Sequence, residues 1–119
     1  MTGCDQSPTA PSTPLNTEFV LAPGETMAIE RASFSVTFDG VSGDSRCPAD
    51  AFCIQGGDAI VRVTATSSSG TRQHELHTGS MQPVQHGDTT ITLAQLSPYP
   101  FSSRTIAPHE YRATLKVTR

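Results

Sequence analysis

Alternation with a period of two runs through most of the chain after Glu18. Its clearest instance is EYRATLKVT, residues 110–118. There Tyr111, Ala113, Leu115 and Val117 fall on one side, and Arg112, Thr114, Lys116 and Thr118 on the other. Such a segment predicts an antiparallel strand with one buried and one wet face. The same period places Phe34, Val36 and Phe38 together within 33–40. It also sets Val61, Val63 and Ala65 against Arg62, Thr64 and Thr66 within 59–66, and runs through Ile91 and Leu93 within 89–96. Residues 71–78 follow Ser-Ser-Ser-Gly (67–70), a hairpin signal, and residues 18–22 and 26–30 flank the turn signal Ala-Pro-Gly-Glu at 22–25. No 3.6-residue period persists for two turns.

About seven short strands separated by turns predict a two-sheet antiparallel, immunoglobulin-like sandwich, with a small closed β-barrel as the alternative. The distant cysteine pair and core tryptophan of immunoglobulin domains are missing, so the likeness is one of architecture. Pro98, Pro100 and Pro108 confine 97–108 to a loop, because proline donates nothing to a ladder. A length of 119 residues suits one domain with one core.

Before Glu18 the pattern stops. Residues 5–17, DQSPTAPSTPLNT, hold three prolines, many hydroxyl residues and one isolated leucine, the composition of a stiff polar tether. The four residues ahead of it, Met1-Thr2-Gly3-Cys4, resemble the lipobox of bacterial lipoproteins. That resemblance implies diacylation of Cys4 and a lipid-anchored domain on the periplasmic or extracellular side of a bacterial envelope. The tether would hold the domain about 40 Å from the anchor at ~3.1 Å per residue. The expected division is therefore 1–17, lipobox and tether, and 18–119, one sandwich domain.

Charge narrows the partners. The chain is 16% charged, against about 25% in ordinary globular domains, and carries a net charge of −3 with no basic run. Nucleic-acid binding needs a basic footprint, so that class is excluded, and membrane contact is expected only through lipid on Cys4.

Cys47 and Cys53 admit three readings. Zinc needs four ligands, usually as two close pairs, and a thioredoxin-type centre needs Cys-x-x-Cys beside a βαβ unit. The spacing fits neither. A disulfide closing a seven-residue loop fits, and loop-closure entropy gives it about 2.4 kcal/mol. That pairing implies an oxidising compartment. The surrounding residues, Asp44-Ser45-Arg46-Cys47-Pro48 and then Cys53-Ile54-Gln55-Gly56-Gly57-Asp58-Ala59, resemble a block found in small exported bacterial proteins of unassigned activity. Those proteins pair "DSRCP" with "C-(V/I)-W-x-G-(D/E/N)-A" and carry a proline–tyrosine loop similar to Leu96–Pro100. The resemblance implies a β-rich exported domain and no particular chemistry. This chain has Gln55 where the block usually has tryptophan.

Candidate chemistry is sparse. Asp39, Asp44, Asp50 and Asp58 cluster in sequence around the cysteine pair and are the weak candidates for calcium, which takes six to eight oxygens. The competing expectation is that Asp44 and Asp58 pair with Arg46 across the closed loop. His74, His77, Met81 and His86 are donors suited to copper. On a strand, however, His74 and His77 face opposite sides, and His74 shares the face of Leu76, as a half-buried structural histidine does. No G-x-S-x-G elbow or ordered nucleophile occurs, so no enzyme and no cofactor are expected. The primary expectation is a binding or accessory module for an unidentified protein or small molecule in the envelope. Its loops would offer Arg46, Phe52, Gln55, Tyr99 and Phe101, and the competing expectation is that Phe52 and Tyr99 cap the sandwich core instead. The alternative is a periplasmic calcium or copper carrier.

Overall fold

The computed structural model describes residues 11–48, 50–53, 57–80, 82–103 and 105–119. The strands, in chain order, are β1 (Ser12–Thr13), β2 (Glu18–Leu21), β3 (Thr26–Ile29), β4 (Phe34–Asp44), β5 (Ala59–Ser67), β6 (Gly70–His77), β7 (Val84–His86), β8 (Thr89–Ser97) and β9 (Arg112–Thr118). They form a five-stranded sheet, β1-β3-β4-β5-β6, and a four-stranded sheet, β2-β9-β8-β7. Every pairing is antiparallel except β1 with β3. The expected sandwich is observed, and the closed barrel is not.

The core follows the alternation. Phe34, Val36 and Phe38 of β4 and Val61, Val63 and Ala65 of β5 are buried from one sheet. Ile91 and Leu93 of β8, with Ala113, Leu115 and Val117 of β9, are buried from the other. Each large side chain removed from water in this way contributes roughly 1.5–3 kcal/mol. Their outward neighbours are mainly Ser, Thr and charged residues, which leaves the outer faces wet without a high charge density.

Three features depart from the expected layout. β4 runs four residues past position 40, because register shifts at Phe38/Gly40 and Val41/Gly43 absorb the non-alternating GVSG stretch. Bulges of this kind break the period without ending the strand. β7, three residues long, is too short to show a period. The third departure is the tether: its last residues belong to the folded domain. Ala28 N donates to Pro11 O, Glu30 N to Thr13 O and Asn16 N to Val117 O, while Leu15 packs against the core. Proline is tolerated here because β1 is an edge strand. The packed chain therefore begins by residue 11 rather than at 18.

The strands end in two unlike places. At one end, the turn end, the connections are tight: 30–33, 68–69 and 87–88. Gly70 and Gly87 take positive φ there, at 127° and 65°, a backbone shape that suits glycine. At the other, the loop end, the connections 45–58, 78–83 and 98–111 are long, while the tight turn 22–25 joins β2 to β3 beside Phe38, midway along β4.

Candidate functional site at the loop end

The loop end is built on Asp44, the last residue of β4, and Arg46 two residues on. Arg46 Nε donates to Asp44 Oδ1 at 2.9 Å and Nη2 to Oδ2 at 2.8 Å, a bidentate pair. Its remaining donors reach the opposite sheet: Nη1 to Leu96 O and Nη2 to Pro98 O, both at 3.0 Å. The Tyr111 hydroxyl, at the mouth of β9, donates to Asp44 Oδ2 at 2.8 Å. The two charged side chains are only 8% and 14% exposed. One ion pair thus ties β4 to the ends of β8 and β9 and closes the sandwich. The hydrogen bonds from Arg46 hold the Asp44 carboxyl below the usual carboxylate range. Burial, and then donation to Asp44, pushes the Tyr111 phenol up to about 12.

Around that pair the cysteine block folds tightly. Cys47 and Cys53 form the expected disulfide. Ser45 extends the β4–β5 ladder, since its N donates to Asp58 O at 2.7 Å and its hydroxyl accepts from Asp58 N at 3.1 Å. Gly57 lies against the same backbone: a Cβ there would sit 1.5 Å from Ser45 O, so only glycine fits. Asp58 reaches the 78–83 connection, accepting from His77 Nδ1 at 2.5 Å and from Gly79 N at 2.7 Å. That contact draws the Asp58 carboxyl down and the His77 imidazole up. Asp50, inside the disulfide loop, accepts from Ser102 N at 2.9 Å and from the Ser102 hydroxyl at 2.6 Å. The disulfide loop and the 98–111 loop are therefore one connected surface.

On this surface three aromatic rings face solvent. Phe52 is 99% exposed, Tyr99 61% and Phe101 50%. Beside Phe101 runs a cleft of about 390 Å³ lined by Arg46, Pro48, Pro100, Phe101, Ile106 and Tyr111, among others. The Arg46 guanidinium lies 5.8 Å from the centre of the Tyr99 ring. Of the loop residues expected to offer contacts, Phe52, Tyr99 and Phe101 are thus displayed, and the expectation that Phe52 and Tyr99 cap the core is not met. Arg46 is engaged as the closing ion pair, and Gln55 lies outside the described residues, as does Cys4.

The metal candidates do not converge. Asp39 accepts from Thr64 and Gln73, Asp44 from Arg46 and Tyr111, Asp50 from Ser102, and Asp58 from His77 and Gly79. His74 and His86 meet at the far, turn end, while His77 faces Asp58; Met81 lies outside the described residues. Among the described residues, no three His, Cys, Asp or Glu side chains are placed to hold an ion.

Sequence reading missed the Tyr111 hydroxyl and the Asp50–Ser102 bridge. The first had a signal: an inward tyrosine at a strand end needs a partner for its O–H. The second joins residues 52 apart in sequence and had none. The chain matches no known protein family, no characterised protein and no solved structure.

Proposed function

We propose that this protein is a non-enzymatic binding or accessory module of the bacterial envelope, lipid-anchored through Cys4, which engages its partner with the loop end. The observation that carries this reading is the display of Phe52, Tyr99 and Phe101 on loops cross-tied by a disulfide, an ion pair and the Asp50 bridge. Large exposed rings on a monomer's surface are costly in solubility and are the residue types that anchor interfaces. Loops already ordered in the free protein lose less conformational entropy on binding. The disulfide suits an oxidising compartment, as an envelope location requires.

The test is site-specific photo-crosslinking in living cells of the source bacterium. A photoreactive phenylalanine at position 52 or 101 is expected to give a discrete adduct, and the same residue at the solvent-facing Thr66 none. Adduct formation from 52 should fall at least about tenfold when Tyr99 and Phe101 are changed to serine. No adduct from the loop end, or equal adducts from both ends, refutes the assignment. Palmitate labelling that disappears in Cys4→Ser checks the anchor separately.

A further inference from the structure

We propose that a polar cleft at the turn end, between the edges of the two sheets, binds a small tetrahedral oxyanion of the phosphate class, with Arg72 as its charged ligand. This site is distinct from the aromatic loop end and does not depend on the function assigned there.

The cleft exists because the second sheet stops short. β6 is an edge of the first sheet and β7 an edge of the second, and β7 spans only Val84–His86. Leu76, His74 and Arg72 alternate along one face of β6 and run from buried through half-buried to exposed, with Arg72 paired to the buried Ala65 of β5. Leu76 reaches the core; toward the turns the inner face becomes polar. A cleft of about 170 Å³ opens there, lined by Ser69, Thr71, Arg72, Gln85, His86 and the two hairpin glycines. That volume suits a single oxyanion rather than a nucleotide.

Charge selects the ligand. Arg46, Arg62 and Arg119 each meet a carboxylate; Arg72, like Arg31 and Arg112, is in no ion pair among the described residues, and of these three only Arg72 lines the cleft. No carboxylate lines the cleft. Asp88, in the adjoining turn, is directed to Arg119 at 3.6 Å. A guanidinium with unused donors beside hydroxyl groups is the usual receptor for phosphate oxygens.

A hydrogen-bonded chain leads into the same space. His74 Nε2 meets His86 Nδ1 at 3.2 Å, His86 Nε2 meets Ser67 Oγ at 3.1 Å, and Ser67 Oγ meets Ser69 Oγ at 2.8 Å. Each of these contacts needs one proton, so the chain can be oriented either way. An oxyanion at the mouth would fix it, with the Ser69 hydroxyl donating outward to the anion. In a purely structural role, the exposed Arg72 would be a charge that keeps an edge strand from pairing with other chains.

Two of the four histidines, His74 and His86, are built-in reporters, and His77 and His109 are internal controls. Inorganic phosphate is titrated against the intact chain at pH 7.5, with ionic strength held constant by chloride, and the imidazole signals are followed by NMR. Saturating shifts confined to His74 and His86 are expected, with half-saturation at about 1 mM. Arg72→Gln should weaken binding at least tenfold with the amide spectrum preserved, while Arg72→Lys and Ser69→Ala should weaken it about threefold. Absence of saturation by 50 mM, equal shifts at His109, or an unchanged response in Arg72→Gln overturns the site. Self-association of Arg72→Gln without any phosphate response in the parent chain assigns Arg72 to edge protection and overturns it equally.

Discussion

The two ends of the sandwich solve the same problem, reversing the chain, by different physics. At the turn end the reversals are local, with glycine at positive φ supplying the backbone shape in the hairpins at 68–70 and 87–88. At the loop end the connections are long, and they are fixed by side chains from distant positions: Asp44 with Arg46 and Tyr111, Cys47 with Cys53, Asp50 with Ser102, and Asp58 with His77. Local turns leave little surface to display. Cross-tied loops display aromatic rings, because the ties supply the order that burial of those rings would otherwise provide. The end that is harder to build is the one that displays the rings.

That contrast predicts a ladder of stability effects, each read from denaturant unfolding. Arg46→Ala should be the largest, at about 3 kcal/mol, since it strands the shielded Asp44 carboxylate and frees Leu96 O and Pro98 O. Replacing Cys47 and Cys53 together by serine should cost about 2.4 kcal/mol through the unfolded chain, and should loosen the loop end without altering the sheets. Gly87→Ala should cost only about 1 kcal/mol. Its φ is 65°, but the space around it is open, so the penalty is conformational alone. If Gly87→Ala proves costlier than Arg46→Ala, the contrast between the ends is wrong.

Titration sharpens the same point. Asp44 is depressed in the folded protein, so its contribution is present above the ordinary carboxylate range, near pH 3.8, and is lost as pH falls below it toward the folded value. Asp44→Asn should remove that part of the acid dependence. Tyr111 is raised, so its contribution is complete below pH 10 and is lost as pH rises toward about 12. Stability measured from pH 9 to 12 should fall less steeply in Tyr111→Phe than in the parent chain.

What could be read from the sequence divides along the same line. The strands, their inward faces and the hairpin at 67–70 were legible, because a period of two and a Ser/Gly turn are local signals. The cysteine staple was legible from its spacing. β7 was too short to carry a period, and the GVSG bulges interrupted the end of β4. Leu15 looked isolated in a proline-rich stretch, yet it packs on the core, and no local rule connects Pro11 to Ala28. At the loop end Phe52, Tyr99 and Phe101 were identifiable as loop aromatics. The Asp44–Arg46 pair, two residues apart, was legible, although Asp58 takes His77 rather than Arg46. That Arg46 would also reach Leu96 O and Pro98 O, and Asp44 the Tyr111 hydroxyl, depended on contacts between residues up to 67 positions apart.

The most direct test of the cross-tied loop end is native-state hydrogen exchange at the Ser102 amide, which donates to Asp50 across the two loops. In the oxidised protein this amide should be protected well beyond the rate of an open loop. Reduction of Cys47–Cys53 should erase that protection while the β4 and β5 amides keep theirs. A Ser102 amide that exchanges at the unprotected rate in the oxidised protein would mean the loops move independently, and the account of a pre-ordered aromatic surface would fail.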